Sequence, residues 1–274
     1  MAEVLYHETV TAGDEPARWI YVLHGIYGAG RNWASVLRRV VRSRPEWGAV
    51  LVDLRMHGRS QGMSPPHTVD AAATDLAGLA DATGLRPHAV LGHSFGGKVA
   101  LLFAGLDVPA AGALDQVWVV DSTPDARPPS GSAWTMLNLL RSMPARFRTR
   151  SQLVEALTGH GVHEGVAQWM ATNLEPCPGG FRWRFDLDAM ESLLLSFFET
   201  AAWDVVESPR EGLEVHVVKA EASSVLEGQA LERAEAAARR TRTFVHRVAG
   251  GHWVNAENPA AVEDLLVRML PHAG

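Results

Sequence analysis

Gly92-His93-Ser94-Phe95-Gly96, followed at once by Gly97, sets a serine between close glycines. A G-x-S-x-G segment between a strand and a helix holds its serine on a strained turn. The turn lifts the hydroxyl clear of the backbone and aims a helix N-terminus at the reacting carbonyl. The strand-like run His88–Leu91 precedes it and the helical stretch Lys98–Leu106 follows, so the context is the required one. The chemistry expected is nucleophilic attack by Ser94, with the backbone N–H of Phe95 stabilising the oxyanion. The plainer reading is an ordinary glycine-rich strand–turn–helix loop, and the flanking pattern counts against it.

Such chemistry needs a second backbone donor, a base and an orienting acid. His24-Gly25-Ile26-Tyr27-Gly28 follows an early strand-like run and offers the N–H of Ile26 as the second donor. The base must follow the serine on a loop after a late strand. Of the twelve histidines, His252 in Gly250-Gly251-His252-Trp253 fits best. His24 and His93 flank backbone-donor positions and read as structural; His57 precedes the nucleophile; His216 and His246 lie within strands. His160 and His163 have a spacing that metals can use but lack further ligands, so no metal is expected. Two carboxylates compete for the acid. Glu221 follows the run Leu213–Val218, where an acid is usual, but lies close to the strand end. Asp121 directly follows Val117–Val120, and the order Ser94, Asp121, His252 suits the chemistry. Asp121 is preferred.

These residues must be held by a sheet. Short apolar runs at Trp19–Leu23, Ala49–Leu54, His88–Leu91, Val117–Val120, Leu213–Val218 and Thr243–Val248 alternate with helical stretches at Asn32–Arg44, Val69–Thr83, Phe95–Leu106, Leu226–Arg240 and Pro259–Leu270. That alternation predicts an α/β fold with a mostly parallel central sheet flanked by helices. No strand-like run falls between Val120 and Leu213. Helical periodicity dominates there, including an expected capping box at Thr149-Arg150-Ser151-Gln152. The expected organisation is therefore a core of residues 1–124 and 206–274 with an inserted helical cap, 125–205, over the carboxyl ends of the strands.

The chain has 274 residues, 47% hydrophobic and 20% charged, as in an ordinary globular domain. A net charge of -6 argues against nucleic acid as a partner. The single cysteine, Cys177, rules out an internal disulfide. Met1–Val10 lacks the features of a signal peptide, and no apolar run approaches a membrane span, so a cytoplasmic protein, monomer or homodimer, is expected.

From Arg18 to Leu270 the chain resembles the α/β-hydrolase superfamily, in particular a group of small bacterial esterases and the eukaryotic α/β-hydrolase domain-containing protein 11 group. The likeness rests on His24-Gly25 with Asn32, the Asp53–Ser60 segment, Gly92-His93-Ser94 running to Gly96-Gly97-Lys98, and Val120-Asp121-Ser122-Thr123-Pro124. It rests also on Thr172-Asn173-Leu174, Trp183-Arg184 and Gly251-His252-Trp253-Val254. The resemblance implies a serine esterase or acyl thioesterase without cofactor, whose acid maps to Asp121. Phe95 departs from the group's usual methionine, and Asp186 from its common asparagine.

The expected substrate is a small-molecule ester or thioester with a short- to medium-chain acyl group, acyl-CoA among the candidates. Trp134, Leu137, Trp169, Phe197, Phe198 and Trp203 are the candidate cap contacts. Arg141, Arg146, Arg148 and Arg150 form a cationic cluster, either a solvated face or an anion contact. Lys98 is expected in a structural ion pair. Rival readings keep the fold with other chemistry (carbon–carbon hydrolysis, perhydrolysis or a lyase reaction) or make the chain a non-catalytic ligand binder.

Overall fold

The computed structural model describes residues 3–13 and 15–272. In chain order its strands are β1 (His7–Val10), β2 (Arg18–Leu23), β3 (Trp47–Val52), β4 (Ala89–His93), β5 (Gln116–Val120), β6 (Arg146–Phe147), β7 (Leu174–Cys177), β8 (Gly180–Trp183), β9 (Glu214–Ala220) and β10 (Thr243–Val248). Its helices are α1 (Ala34–Ser43), α2 (Val69–Thr83), α3 (Phe95–Ala104), α4 (Pro109–Gly112), α5 (Gly131–Ser142), α6 (Arg150–Gly159), α7 (Glu164–Ala171), α8 (Leu187–Glu199), α9 (Asp204–Glu207), α10 (Gly228–Ala238), α11 (Val254–Glu257) and α12 (Pro259–Met269).

Seven strands form one sheet in the order β1-β3-β2-β4-β5-β9-β10; every pairing is parallel except β1 with β3. Alternate residues of each strand enter opposite cores. Ile20, Val22, Leu91, Trp118 and Val218 pack against α1 and α12, whereas Tyr21, Leu23, Val90, Val117 and Val217 pack against α2, α3 and α10. Burial on both faces explains why these strands read as continuous apolar runs.

Four details depart from the sequence expectation. β1 was not expected, because its polar His7, Glu8 and Thr9 lie on an antiparallel edge. A 3-10 turn, Gly30–Trp33, precedes α1, so the stretch from Asn32 is not one helix. The segment between β5 and β9 is not helical alone: β6, β8 and β7 form a small antiparallel sheet. These strands are two to four residues long and contain Arg, Pro and Gly, too short to show alternation. The Thr149 hydroxyl does accept from Gln152 N–H at 3.1 Å, but the Gln152 side-chain Oε1 accepts from Arg148 N–H, one residue before the helix cap.

The two stems of that segment meet beside α3. Ala202 N–H donates to Pro124 O and Arg127 N–H to Phe198 O, both at 2.8 Å. Trp203 Nε1–H donates to Asp125 Oδ1 at 2.6 Å. Lys98 of α3 lies beneath them, fully buried. Its Nζ donates to the carbonyls of Asp125, Phe197 and Thr200 at 2.8, 2.5 and 2.8 Å, and sits 4.1 Å from the Phe197 ring centre. The expected ion pair is thus replaced by three carbonyl acceptors. Burial and nearby Arg127 push the Lys98 pKa down to about 7, while the three carbonyls favour its protonated form.

Candidate active site

The carboxyl ends of β2, β4, β5, β9 and β10 converge on one rim of the sheet. Ser94 follows β4 with φ 52° and ψ −117°, a strained conformation for a serine. Its N–H donates to Val120 O at 2.9 Å and its carbonyl accepts Gly97 N–H at 2.9 Å. Glycines make the turn possible: a Cβ on Gly92 would run into the Gly96 carbonyl. One on Gly96 would lie 2.6 Å from the His24 carbonyl oxygen. Ser94 thereby heads α3, and Phe95 is its first helical residue.

Asp121, immediately after β5, also has a positive φ, 43°, and is fully buried. Oδ1 accepts Ala220 N–H at 3.2 Å. Oδ2 lies 2.7 Å from His252 Nδ1. Since the carboxylate accepts, Nδ1 carries the hydrogen and Nε2 is left with a lone pair. Glu221 is exposed and makes no side-chain hydrogen bond among the described residues; only its N–H is engaged, by Val248 O. Of the two candidate acids, the structure brings Asp121 to His252.

The loop after β2 is built by its histidine. His24 Nε2 accepts Leu54 N–H at 3.0 Å, and Nδ1–H donates to Gly25 O at 2.7 Å. Burial pushes its pKa down to about 4, so the ring stays neutral with one tautomer. His93 Nε2–H donates to the His252 carbonyl at 2.7 Å; burial and the neighbouring His252 push its pKa down to about 3. His57, buried beside His24, is pushed down to about 3 as well. Ile26 and Ser94 line the same cavities, and Phe95 joins them on one side.

Ser94 and His252 stand between two spaces. One, about 390 Å³, is walled by Met136, Leu139, Val162, Val166 and Trp169. The other, about 200 Å³, is walled by Phe95, Arg127, Leu194, Phe197 and Phe198. Of the six expected contacts, Trp169, Phe197 and Phe198 line these spaces. Trp134 instead meets Phe198 edge-on, Leu137 is fully buried in the core, and Trp203 packs under Arg233, so those three hold the segment together. The arginine cluster disperses. Arg141 pairs with Asp188 and Glu191, Arg150 binds the carbonyls of Ala171 and Leu174, and neither Arg146 nor Arg148 lines these cavities. His160 and His163 both line the larger cavity; among the described residues no three His, Cys, Asp or Glu groups converge on a metal position.

Residues 20–265 match the model of the alpha/beta hydrolase family. The chain belongs to that family. Among curated family relatives, it is 31% identical over 183 residues to the mouse sn-1-specific diacylglycerol lipase ABHD11, covering 65% of this chain and 58% of the mouse protein. It is 26% identical to esterase YbfF of Escherichia coli K12 over 258 residues, 92% of each chain. The chain thus spans rather more than half of the first relative's length and nearly all of the second's. Among solved structures, a marine microorganism esterase superposes with a TM-score of 0.82 at 20% identity, over 98% of this chain and 100% of that one, a likeness of fold.

Three residues at the site have roles that the sequence reading does not assign, although Tyr27 and Asn173 fall within segments it singles out. Tyr27, with φ 63°, donates its hydroxyl to Ala133 O at 3.0 Å. Asn173 donates Nδ2–H to Tyr27 O at 2.8 Å, tying α7's end to the loop that carries Ile26. Its signal was a buried amide among Met170, Ala171 and Leu174, visible only as a polar break in an apolar run. Arg127 had no signal, because its partners are brought by the fold; its Nε is buried and has no hydrogen-bond partner among the described residues.

Proposed function

We propose that this chain is a serine hydrolase that cleaves a carboxylic ester or acyl thioester with a short- to medium-chain acyl group, through an acyl-enzyme. The observation that carries the reading is the 2.7 Å contact from His252 Nδ1 to buried Asp121, on the same rim as a positive-φ Ser94. Asp121 orients the imidazole and stabilises its positive charge; His252 Nε2 takes the Ser94 proton. The Ser94 oxygen then bonds the acyl carbon, and the N–H groups of Phe95 and Ile26 hold the oxyanion. Proton return from His252 releases the alcohol or thiol, and water activated by the same base frees the acid.

In this reading residues 125–205 act as a cap over the core, 1–124 and 206–274, and the apolar 390 Å³ cavity takes the acyl chain. The esterase and lipase names of the relatives point the same way. The test is turnover of a chain-length series of p-nitrophenyl esters, with fluorophosphonate labelling, by the protein and its Ser94→Ala variant. Labelling and turnover by the protein but not the variant are expected. Absence of both from the protein would remove the reading.

A further inference from the structure

The larger cavity beside Ser94 does not end above the serine. It shares Gly25, His93, Val166, Trp169 and Trp253 with a further space of about 340 Å³ that runs behind the His24–Gly28 loop towards α11. This second space is not needed for the acyl transfer described above, and its walls have one chemical sense.

Three indole rings belong to its wall. Trp33, Trp169 and Trp253 all face it, with the Trp169 and Trp253 ring centres 4.6 Å apart and tilted by 59°. Asn255 Nδ2–H donates to the Asn32 carbonyl at 3.3 Å, which fixes the amide orientation, because a carbonyl takes only a donor. Asn255 Oδ1 is thereby turned away and buried, out of reach of a ligand in the space, with no partner among the described residues. His93 spends its one ring hydrogen on the His252 carbonyl, so its Nδ1 is a bare lone pair on a ring lining the same space. Glu257 stands at the rim, takes Gly251 N–H at 2.6 Å, and forms no ion pair among the described residues. Asn32 and His163 bring donors but no permanent charge, and neither Lys nor Arg lines this space or the larger cavity beside it. Indole faces and a carboxylate, with no competing cation on the walls, together favour a cationic group.

We propose that this space is a subsite for the ammonium group of an amino-alcohol ester: the acyl chain keeps to the Met136, Leu139 and Val162 wall of the larger cavity, and the leaving alcohol passes along Trp169 and Trp253 to place its nitrogen among the indoles beside Glu257. The proposal deepens the serine-hydrolase reading and rests on it for turnover. In that turnover the Ser94 oxygen bonds the acyl carbon as the bond from that carbon to the alcohol oxygen breaks. His252 passes the Ser94 proton to the departing amino alcohol, and water then supplies the hydroxyl of the freed acid.

The test compares dimethylaminoethyl butyrate, cationic near neutral pH, with isoamyl butyrate, its uncharged isostere. The enzymes are the natural chain, Glu257→Gln and Trp169→Leu. Each substitution is expected to lower the charged-to-neutral ratio of kcat/KM by about tenfold, mainly through KM. An unchanged ratio in both variants overturns the proposal. A second readout needs no catalysis: choline should quench the tryptophan fluorescence of Ser94→Ala saturably, dimethylbutanol should not, and Glu257→Gln should weaken the choline effect. If choline binds in this way while neither ester is cleaved, the hydrolase reading fails and the cation site stands. If isoamyl butyrate is cleaved while choline gives no Glu257-dependent quenching, the cation site fails and the hydrolase reading stands.

Discussion

His252 has a lone pair to offer at Nε2 only because Asp121 occupies Nδ1. The tautomer is therefore the quantity most exposed to substitution. In Asp121→Asn the side-chain NH2 can face the ring and favour the wrong tautomer, so kcat should fall by about three to four orders of magnitude with the fold intact. Steady-state kinetics with circular dichroism would check this. Glu221→Gln should leave kcat within about twofold, since its side chain is exposed and unbonded. A large loss in Glu221→Gln with a small one in Asp121→Asn would exchange the two assignments.

Elements impose their own demands on the site. The Ile26 loop is held from behind by Asn173, whose Nδ2–H reaches the Tyr27 carbonyl. Asn173→Ala removes that tie and leaves a buried carbonyl without a donor. In the proposed hydrolysis a displaced Ile26 N–H weakens the transition state more than the bound substrate, so kcat should drop by about tenfold with KM little changed. A rise in KM alone would count against that role. Lys98 acts between elements: one ammonium closes the carbonyl ends of both stems of the 125–205 segment onto α3. Lys98→Met keeps the apolar stem but orphans three carbonyls, and should cost about 3 kcal/mol or more in urea unfolding. A midpoint equal to that of the natural chain would show that the carbonyls find other donors.

For the whole molecule, buried neutral histidines set the response to acid. His24, His57 and His93 have folded pKa values pushed down to about 4, 3 and 3 by burial, against 6.5 for an exposed ring. Below pH 6.5 the unfolded chain takes up protons that the folded chain refuses, so stability is present above that pH and falls as the pH drops. The slope should reach about 1.4 kcal/mol per pH unit for each such histidine between about pH 4 and 6. Urea midpoints at pH 7, 6 and 5 would reveal it; midpoints level across that range would mean that the rings protonate in place. Among the described residues no helix is long and apolar enough to cross a membrane.

The sequence by itself determined the elements whose signal is local. Continuous apolar runs marked the buried parallel strands, helical periodicity marked Val69–Thr83 to the residue, and the close glycines around Ser94 marked a turn that no bulkier residue permits. Those signals depend on neighbours within a few positions, and a chain carries them before it folds. The tertiary structure decided what depends on residues far apart. Asp121 and Glu221 were both available from sequence; only the register of β5 against β9, which sets Asp121 beside Ala220 and under His252, separates them. Lys98 likewise read as half of an ion pair, because three carbonyls from residues 125, 197 and 200 leave no trace in side-chain pattern. Trp134, Leu137 and Trp203 looked as suited to a pocket as Trp169 did. Apolar residues serve a core and a cavity equally well, and only the packing of α5, α7, α8 and α10 around the segment assigns each to one or the other.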